Sequence, residues 1–134
     1  MVTLKISDLS VGDWVQNDYG DYVKVAGIWQ GCNFNYQVDI LRDGRIGTIV
    51  PCNIHPIPIT AEILEKNGFV KNGEYNEWST GNWEDIPFIG ISLSRPSMRI
   101  KNLGTDIFLD NKVVYVHDLQ HALRLAGVDK EINL

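Results

Sequence analysis

Leu64-Glu65-Lys66-Asn67-Gly68-Phe69 and Leu123-Arg124-Leu125-Ala126-Gly127-Val128 carry the same helix-ending signature. Each places Gly just past a helical turn, where the backbone enters the left-handed region that a residue without Cβ adopts freely. Each follows the Gly with an apolar residue that can pack back onto the Leu four positions before the Gly. Two short helices stopped in this way, in a chain that otherwise reads as hairpins, predict a compact α+β protein rich in antiparallel strands. Such a scaffold has no chemistry of its own, so function must be argued from sites.

The first helix has a full set of start signals. Thr60 is a good N-cap, Ile59 before it can staple to Leu64, and Glu62 places negative charge in the first turn. The helix ends at Asn67 after about two turns, too short to stand without docking its Ile63, Leu64 and Phe69 side. The second helix is expected over 118–126, with Leu119, Ala122, Leu123 and Ala126 at i, i+3, i+4 and i+7 forming the face that covers a sheet.

Upstream, residues 1–58 read as strands and turns. Leu4-Lys5-Ile6 starts extended, Val11-Gly12-Asp13-Trp14-Val15 turns into a strand, and Asp18-Tyr19-Gly20-Asp21 reads as a hairpin turn before Tyr22 to Trp29. Phe34, Tyr36, Val38 and Ile40 alternate with Asn35, Gln37 and Asp39, the period of a half-buried strand. Asp43-Gly44 between two strand-like runs is a strong hairpin signal, and Ile46 to Val50 returns from it. Pro51, Pro56 and Pro58 close the region. These strands fit either a small SH3-like barrel or a plain curled meander. Between the helices, Asn72-Gly73, Arg95-Pro96-Ser97 and Asp110-Asn111 supply turns for a second antiparallel set, with strands at 88–94, 98–103, 107–109 and 113–116. The expected organisation is a β-rich lobe over 1–58 and a helix–sheet–helix lobe over 59–134, packed as one compact unit.

The 134 residues are 44% apolar and 22% charged, ordinary for a globular chain with its own core. No apolar run approaches the roughly 18 residues of a membrane helix, and Met1 to Asp8 lacks the basic start and apolar stretch of a secretory signal. The expectation is a cytoplasmic protein. Cys32 and Cys52, 20 positions apart and outside any C-x-x-C, are expected to be buried free thiols. Net charge is −5, spread over both halves, which argues against non-specific binding of phosphate backbones.

His117-Asp118-Leu119-Gln120-His121 is the one segment that invites a catalytic reading, since two His at i and i+4 on a helix can share a metal. Asp stands where a zinc peptidase has Glu, and no third ligand is evident, because His55 is confined between Ile54 and Pro56. The plainer reading is that Asp118 caps the helix and both histidines pack. Ser92, Ser94 and Ser97 lack elbow glycines, and no phosphate or dinucleotide loop is present. Catalytic residues, metal and cofactor are therefore expected to be absent.

Tyr75, Trp78 and Trp83 lie in a turn-rich stretch with Glu74, Glu77, Glu84 and Asp85. Aromatic side chains in such a stretch can anchor a protein partner, since they bury much area at small entropic cost. The competing reading is that they cover the ends of the core. Trp14, Tyr19 and Trp29 are second candidates on the N-terminal lobe. Arg95, Arg99 and Lys101 form a candidate basic patch, with Arg99 and Lys101 on one strand face; such a stripe is also an ordinary solvated face or a guarded edge.

Four segments together carry a resemblance: Ile6-Ser7-Asp8-Leu9-Ser10-Val11-Gly12-Asp13-Trp14-Val15, Ile57-Pro58-Ile59-Thr60, Ile63 to Phe69 and Tyr115-Val116-His117-Asp118-Leu119-Gln120. In this order, and over nearly the whole chain, they resemble a group of small uncharacterised proteins of Bacteroidetes genomes and their phages and mobile elements. The resemblance brings no catalytic residues; it implies an accessory protein of a phage or integrated element acting inside a bacterial cell. The first functional expectation is a non-enzymatic interaction protein with an unknown protein partner and no membrane contact. A nucleic-acid-associated module on Arg95, Arg99 and Lys101 is the alternative, and a metal-dependent hydrolase on His117 and His121 the second alternative. Open strand edges near Pro56 and Pro96 admit a homodimer.

Overall fold

A computed structural model describes residues 4–30, 35–72, 76–80, 87–109 and 114–134. The chain divides into two compact units, Met1–Ile57 and Pro58–Leu134. The fold is α+β, with one antiparallel sheet in each unit and a helix near the C-terminus.

The first unit is a four-stranded meander in sequence order: β1 (Trp14–Gln16), β2 (Tyr22–Gln30), β3 (Tyr36–Arg42) and β4 (Arg45–Ile49). Asn17 builds the β1–β2 turn: its side-chain Oδ1 accepts from the Tyr19 and Asp21 backbone N–H groups, both at 2.9 Å. Asp43 (φ +49°) and Gly44 (φ +76°) close the β3–β4 hairpin as a two-residue loop with both residues left-handed, the geometry that matches strand twist. The register of β2 against β3 shifts between Val25 and Gly27, so a bulge lets Val23, Val25 and Ile28 all face inward. These residues pack with Leu4, Leu9, Val15, Val38 and Ile54 as the unit's core.

Among the described residues no closed barrel forms. After β4 a 3-10 turn at Pro51–Asn53 sends the chain back to the free edge of β1, where His55 and Gln16 exchange backbone hydrogen bonds of 2.8 and 2.9 Å in a single antiparallel bridge. Two N-terminal expectations are corrected. Ile6–Asp8 is a 3-10 turn rather than strand, because Leu4 already pairs its N–H with the Ile54 carbonyl and Ile6 must then turn toward the core. Cys52 sits in the Pro51–Asn53 turn and is exposed, not buried; Cys32 lies outside the described residues.

The second unit begins with α1 (Ala61–Lys66). Thr60 caps it, its hydroxyl accepting from the Ile63 N–H at 3.3 Å. Gly68 (φ +82°) ends it: the Phe69 N–H reaches the Leu64 carbonyl and the Gly68 N–H the Glu65 carbonyl, the paired bonds of a Schellman motif. The same pair recurs at α2 (Val116–Leu125), from Val128 to Leu123 and from Gly127 (φ +75°) to Arg124.

Between the helices lies a five-stranded antiparallel sheet, again in sequence order: β5 (Val70–Asn72), β6 (Glu77–Ser79), β7 (Phe88–Ser92), β8 (Ser97–Asn102) and β9 (Thr105–Leu109). The register places Trp78, Ile91, Met98 and Leu109 in one row and Ile89, Ile100 and Ile107 in another, both on one face. Met98, Ile100, Ile107 and Leu109 share a hollow of about 280 Å³ with Asp118, His121, Ala122 and Leu125, which marks this as the helix-covered face.

α2 starts two residues before the predicted Asp118. Tyr115 is the N-cap, and the Asp118 carboxylate reaches back to accept its backbone N–H at 3.0 Å. Of the strand expected over 113–116, Val113 lies outside the described residues, Tyr115 forms a single bridge with Pro58, and Val116 is already helical. The C-terminal tail is pinned by Asn67, whose side chain exchanges hydrogen bonds of 2.8 and 2.7 Å with the Asn133 backbone. Lys130 Nζ donates to the Asn67 carbonyl, and Ile132 is buried.

Candidate interaction surface

Strand alternation gives the first sheet an inner face and an outer one. The outer face carries a complete cross-strand row, Trp14–Lys24–Leu41–Ile46, one residue from each strand. Leu41 is 39% and Ile46 69% exposed, a large apolar area for adjacent positions on one face. The Lys24 ammonium lies 4.9 Å from the centre of the Trp14 ring, so the aliphatic stem and the indole cover each other and the charge sits over a π-face.

The next row along, Gly27–Asp39–Thr48, is polar, and beyond it Trp29 faces Gln37. Asp39 Oδ1 accepts from Trp29 Nε1 at 3.2 Å and from the Thr48 hydroxyl at 2.9 Å. The carboxylate thereby orients an indole that remains 43% exposed. An aromatic held in one rotamer before a partner arrives loses little entropy on binding. Tyr22, 47% exposed, falls on the same face by strand period.

Of the residues singled out from sequence, Trp14 and Trp29 lie on this face, and Tyr19, 90% exposed, is at the tip of the β1–β2 turn. Trp78 is different: at 7% exposure it is the β6 member of an apolar row in the second sheet, and its Nε1 donates to Asn76 Oδ1 at 3.2 Å. The stretch expected to be a loop contains strand β6, and Trp78 packs inside it. Tyr75 and Trp83 lie outside the described residues.

The candidate basic patch is divided. Arg95 is exposed in the β7–β8 turn, while Arg99 and Lys101 share a strand face as expected. Arg99 is clamped by Asp106, Nε to Oδ1 at 2.9 Å and Nη2 to Oδ2 at 2.6 Å. That two-pronged hydrogen bond holds the Asp106 carboxyl below its ordinary range and raises the guanidinium further. Asp106 also stands directly opposite Lys101.

His117 is helical and buried, its ring stacked on Tyr115 (centroids 5.9 Å apart, 10° between planes) and met edge-on by His121 at 5.7 Å. His55 is buried as well, with Nε2 2.6 Å from Asp18 Oδ1. Among the described residues no group of three or more His, Cys, Asp or Glu is placed to hold a metal ion. No helix among them is long and apolar enough to cross a membrane.

Compared with family models, curated proteins and solved structures, the chain matches none.

The sequence reading missed Lys24, Leu41, Ile46 and Asp39. A signal for the two aliphatics existed: once Asp43-Gly44 is taken as a two-residue loop, Leu41 and Ile46 must oppose each other across it.

Proposed function

We propose that this chain is a non-enzymatic interaction protein that binds a partner protein through the outer face of its first sheet. The observation that carries the proposal is the unbroken row Trp14–Lys24–Leu41–Ile46 beside an exposed Trp29 held by Asp39. Aromatic anchors on a rigid sheet, ringed by a few oriented polar groups, have the make-up of a protein-binding hot spot. The setting proposed with it is an accessory protein of a phage or mobile element in the bacterial cytoplasm, resting on the ordered segments that resemble such proteins.

We also propose an SH3-like topology for the first unit. The support is the strand order β1-β2-β3-β4, then a 3-10 turn, then the His55–Gln16 bridge on the free edge of β1. The nucleic-acid alternative is weakened by the Arg99–Asp106 clamp, which occupies the guanidinium that would meet a phosphate.

The test is capture of a partner from the native host, followed by a binding titration with the purified partner. Trp29→Ala and Leu41→Glu are each expected to weaken binding tenfold or more while the melting temperature stays near that of the parent. Undiminished binding by both variants refutes the assignment of this face.

A further inference from the structure

Strand β4 is an edge whose one charge, Arg45, stands at its hairpin end, leaving the rest uncharged. The outer edge of β1 is bridged by His55, β5 is three residues long and carries Lys71, and β9 carries Asp106. Ile46-Gly47-Thr48-Ile49 has no charge, no Pro and no bulge, although Ile46, Gly47 and Thr48 are all exposed. Such an edge is a template for another strand.

Its hydrogen-bonding groups can be assigned from the hairpin. A two-residue loop at Asp43-Gly44 makes Arg42 and Arg45 the hydrogen-bonded pair, so Leu41–Ile46 and Asp39–Thr48 are non-hydrogen-bonded pairs. The N–H and C=O groups of Ile46 and Thr48 therefore point outward from the sheet. Among the described residues, neither makes a backbone hydrogen bond beyond the strand ladder.

We infer that β4 pairs antiparallel with β4 of a second copy, about a two-fold axis through Gly47. In that register Ile46 faces Thr48 of the other copy and Thr48 faces its Ile46, so all eight outward groups are used in four hydrogen bonds. Gly47 meets its own copy as a non-hydrogen-bonded pair, where strands approach to about 4.5 Å between Cα atoms. A Cβ at Gly47 would find open space, so no contact among the described residues explains the glycine, whereas a close backbone approach does. The register sets no like charges opposite each other: Arg45 faces Ile49, and the two Arg45 residues lie about 13 Å apart at ~3.3 Å per residue. The exposed Ile46 side chain is covered by Thr48 of the second copy, where its row meets the polar Thr48–Asp39–Gly27 row of that copy, and the two sheets join into one of eight strands. A self-complementary register of this kind fits a second copy better than an unrelated strand.

The inference rests on the strand edge and not on the outer-face aromatics, so Trp29→Ala should leave the association unchanged. Light scattering on the full chain across micromolar to sub-millimolar concentrations should show a dimer, and Thr48→Pro, which removes an outward donor without touching the β3 ladder, should show a monomer. In a Cys32→Ser, Cys52→Ser background, Gly47→Cys should oxidise to a covalent dimer and Arg45→Cys should not. The second arm stands even if Thr48→Pro fails to fold. A monomeric parent at every concentration overturns the inference, as does equal cross-linking at both positions.

Discussion

Truncating Asn67 tests how much of the second unit depends on one side chain. Asn67, 4% exposed, caps α1 while its side-chain amide mimics a strand partner for a residue 66 positions later. Asn67→Ala removes three hydrogen bonds: Nδ2 to the Ile63 carbonyl at 2.8 Å, Nδ2 to the Asn133 carbonyl at 2.8 Å, and the Asn133 N–H to Oδ1 at 2.7 Å. A partly buried hydrogen bond is worth about 1 kcal/mol net, and a group left without a partner can cost up to ~3 kcal/mol, reduced where water reaches it. Asn133 is exposed, so its orphaned backbone groups can be rehydrated, and the expected loss is about 2–4 kcal/mol. For a chain of 134 residues unfolding in one step that corresponds to a fall of roughly 7–14 °C in melting temperature. Ile132, 1% exposed, is anchored by the same tail, so native-state hydrogen exchange at Asn133 and Ile132 should accelerate more than the global loss requires. Asn67→Asp should not rescue stability, since it restores the acceptor for the Asn133 N–H but turns a second oxygen toward two carbonyls. Asn133→Ala should be within about 0.5 kcal/mol of the parent, because only its backbone is used. An Asn67→Ala variant that melts with the parent and keeps slow exchange at Asn133 would refute the reasoning.

Two further outcomes are expected. Trp78→Ala should cost about 3–5 kcal/mol in urea unfolding, as a large core side chain does, whereas a loss below 1 kcal/mol would return Trp78 to the surface. The Asp106 carboxyl should titrate below the ordinary value of about 3.9 by NMR and return to it in Arg99→Leu. The sign follows from a depressed folded-state pKa: the pair's contribution is present above the unfolded-state value and is lost as pH falls through the folded one. An Asp106 titration unchanged by Arg99→Leu would refute the clamp.

Several features of the fold could be read from residues a few positions apart. The Thr60 cap, the two glycine-ended helices and the Asp43-Gly44 hairpin each depend on local backbone geometry, which the identity of one or two residues decides. The start of α2 is less legible for a related reason: Asp118 reads as a cap by residue type, whereas it acts from the third helical position on the backbone of Tyr115. The candidate surface was half legible. Trp14 and Trp29 drew attention as aromatics, but the Asp39 contact that orients Trp29 joins two strands and depends on the register set by the Val25/Gly27 bulge.

Composition and local pattern alone determined that this chain forms hairpins and two short, glycine-stopped helices, because turn and cap energies are spent within a few residues. Only the tertiary structure decided that Trp78 is interior while Trp29 is exposed, that Asp106 takes Arg99, that Asn67 holds Asn133, and that β4 is left with a bare edge. Each of those outcomes depends on which strands become neighbours, and period-two alternation is the same for a row that ends buried and a row that ends in water.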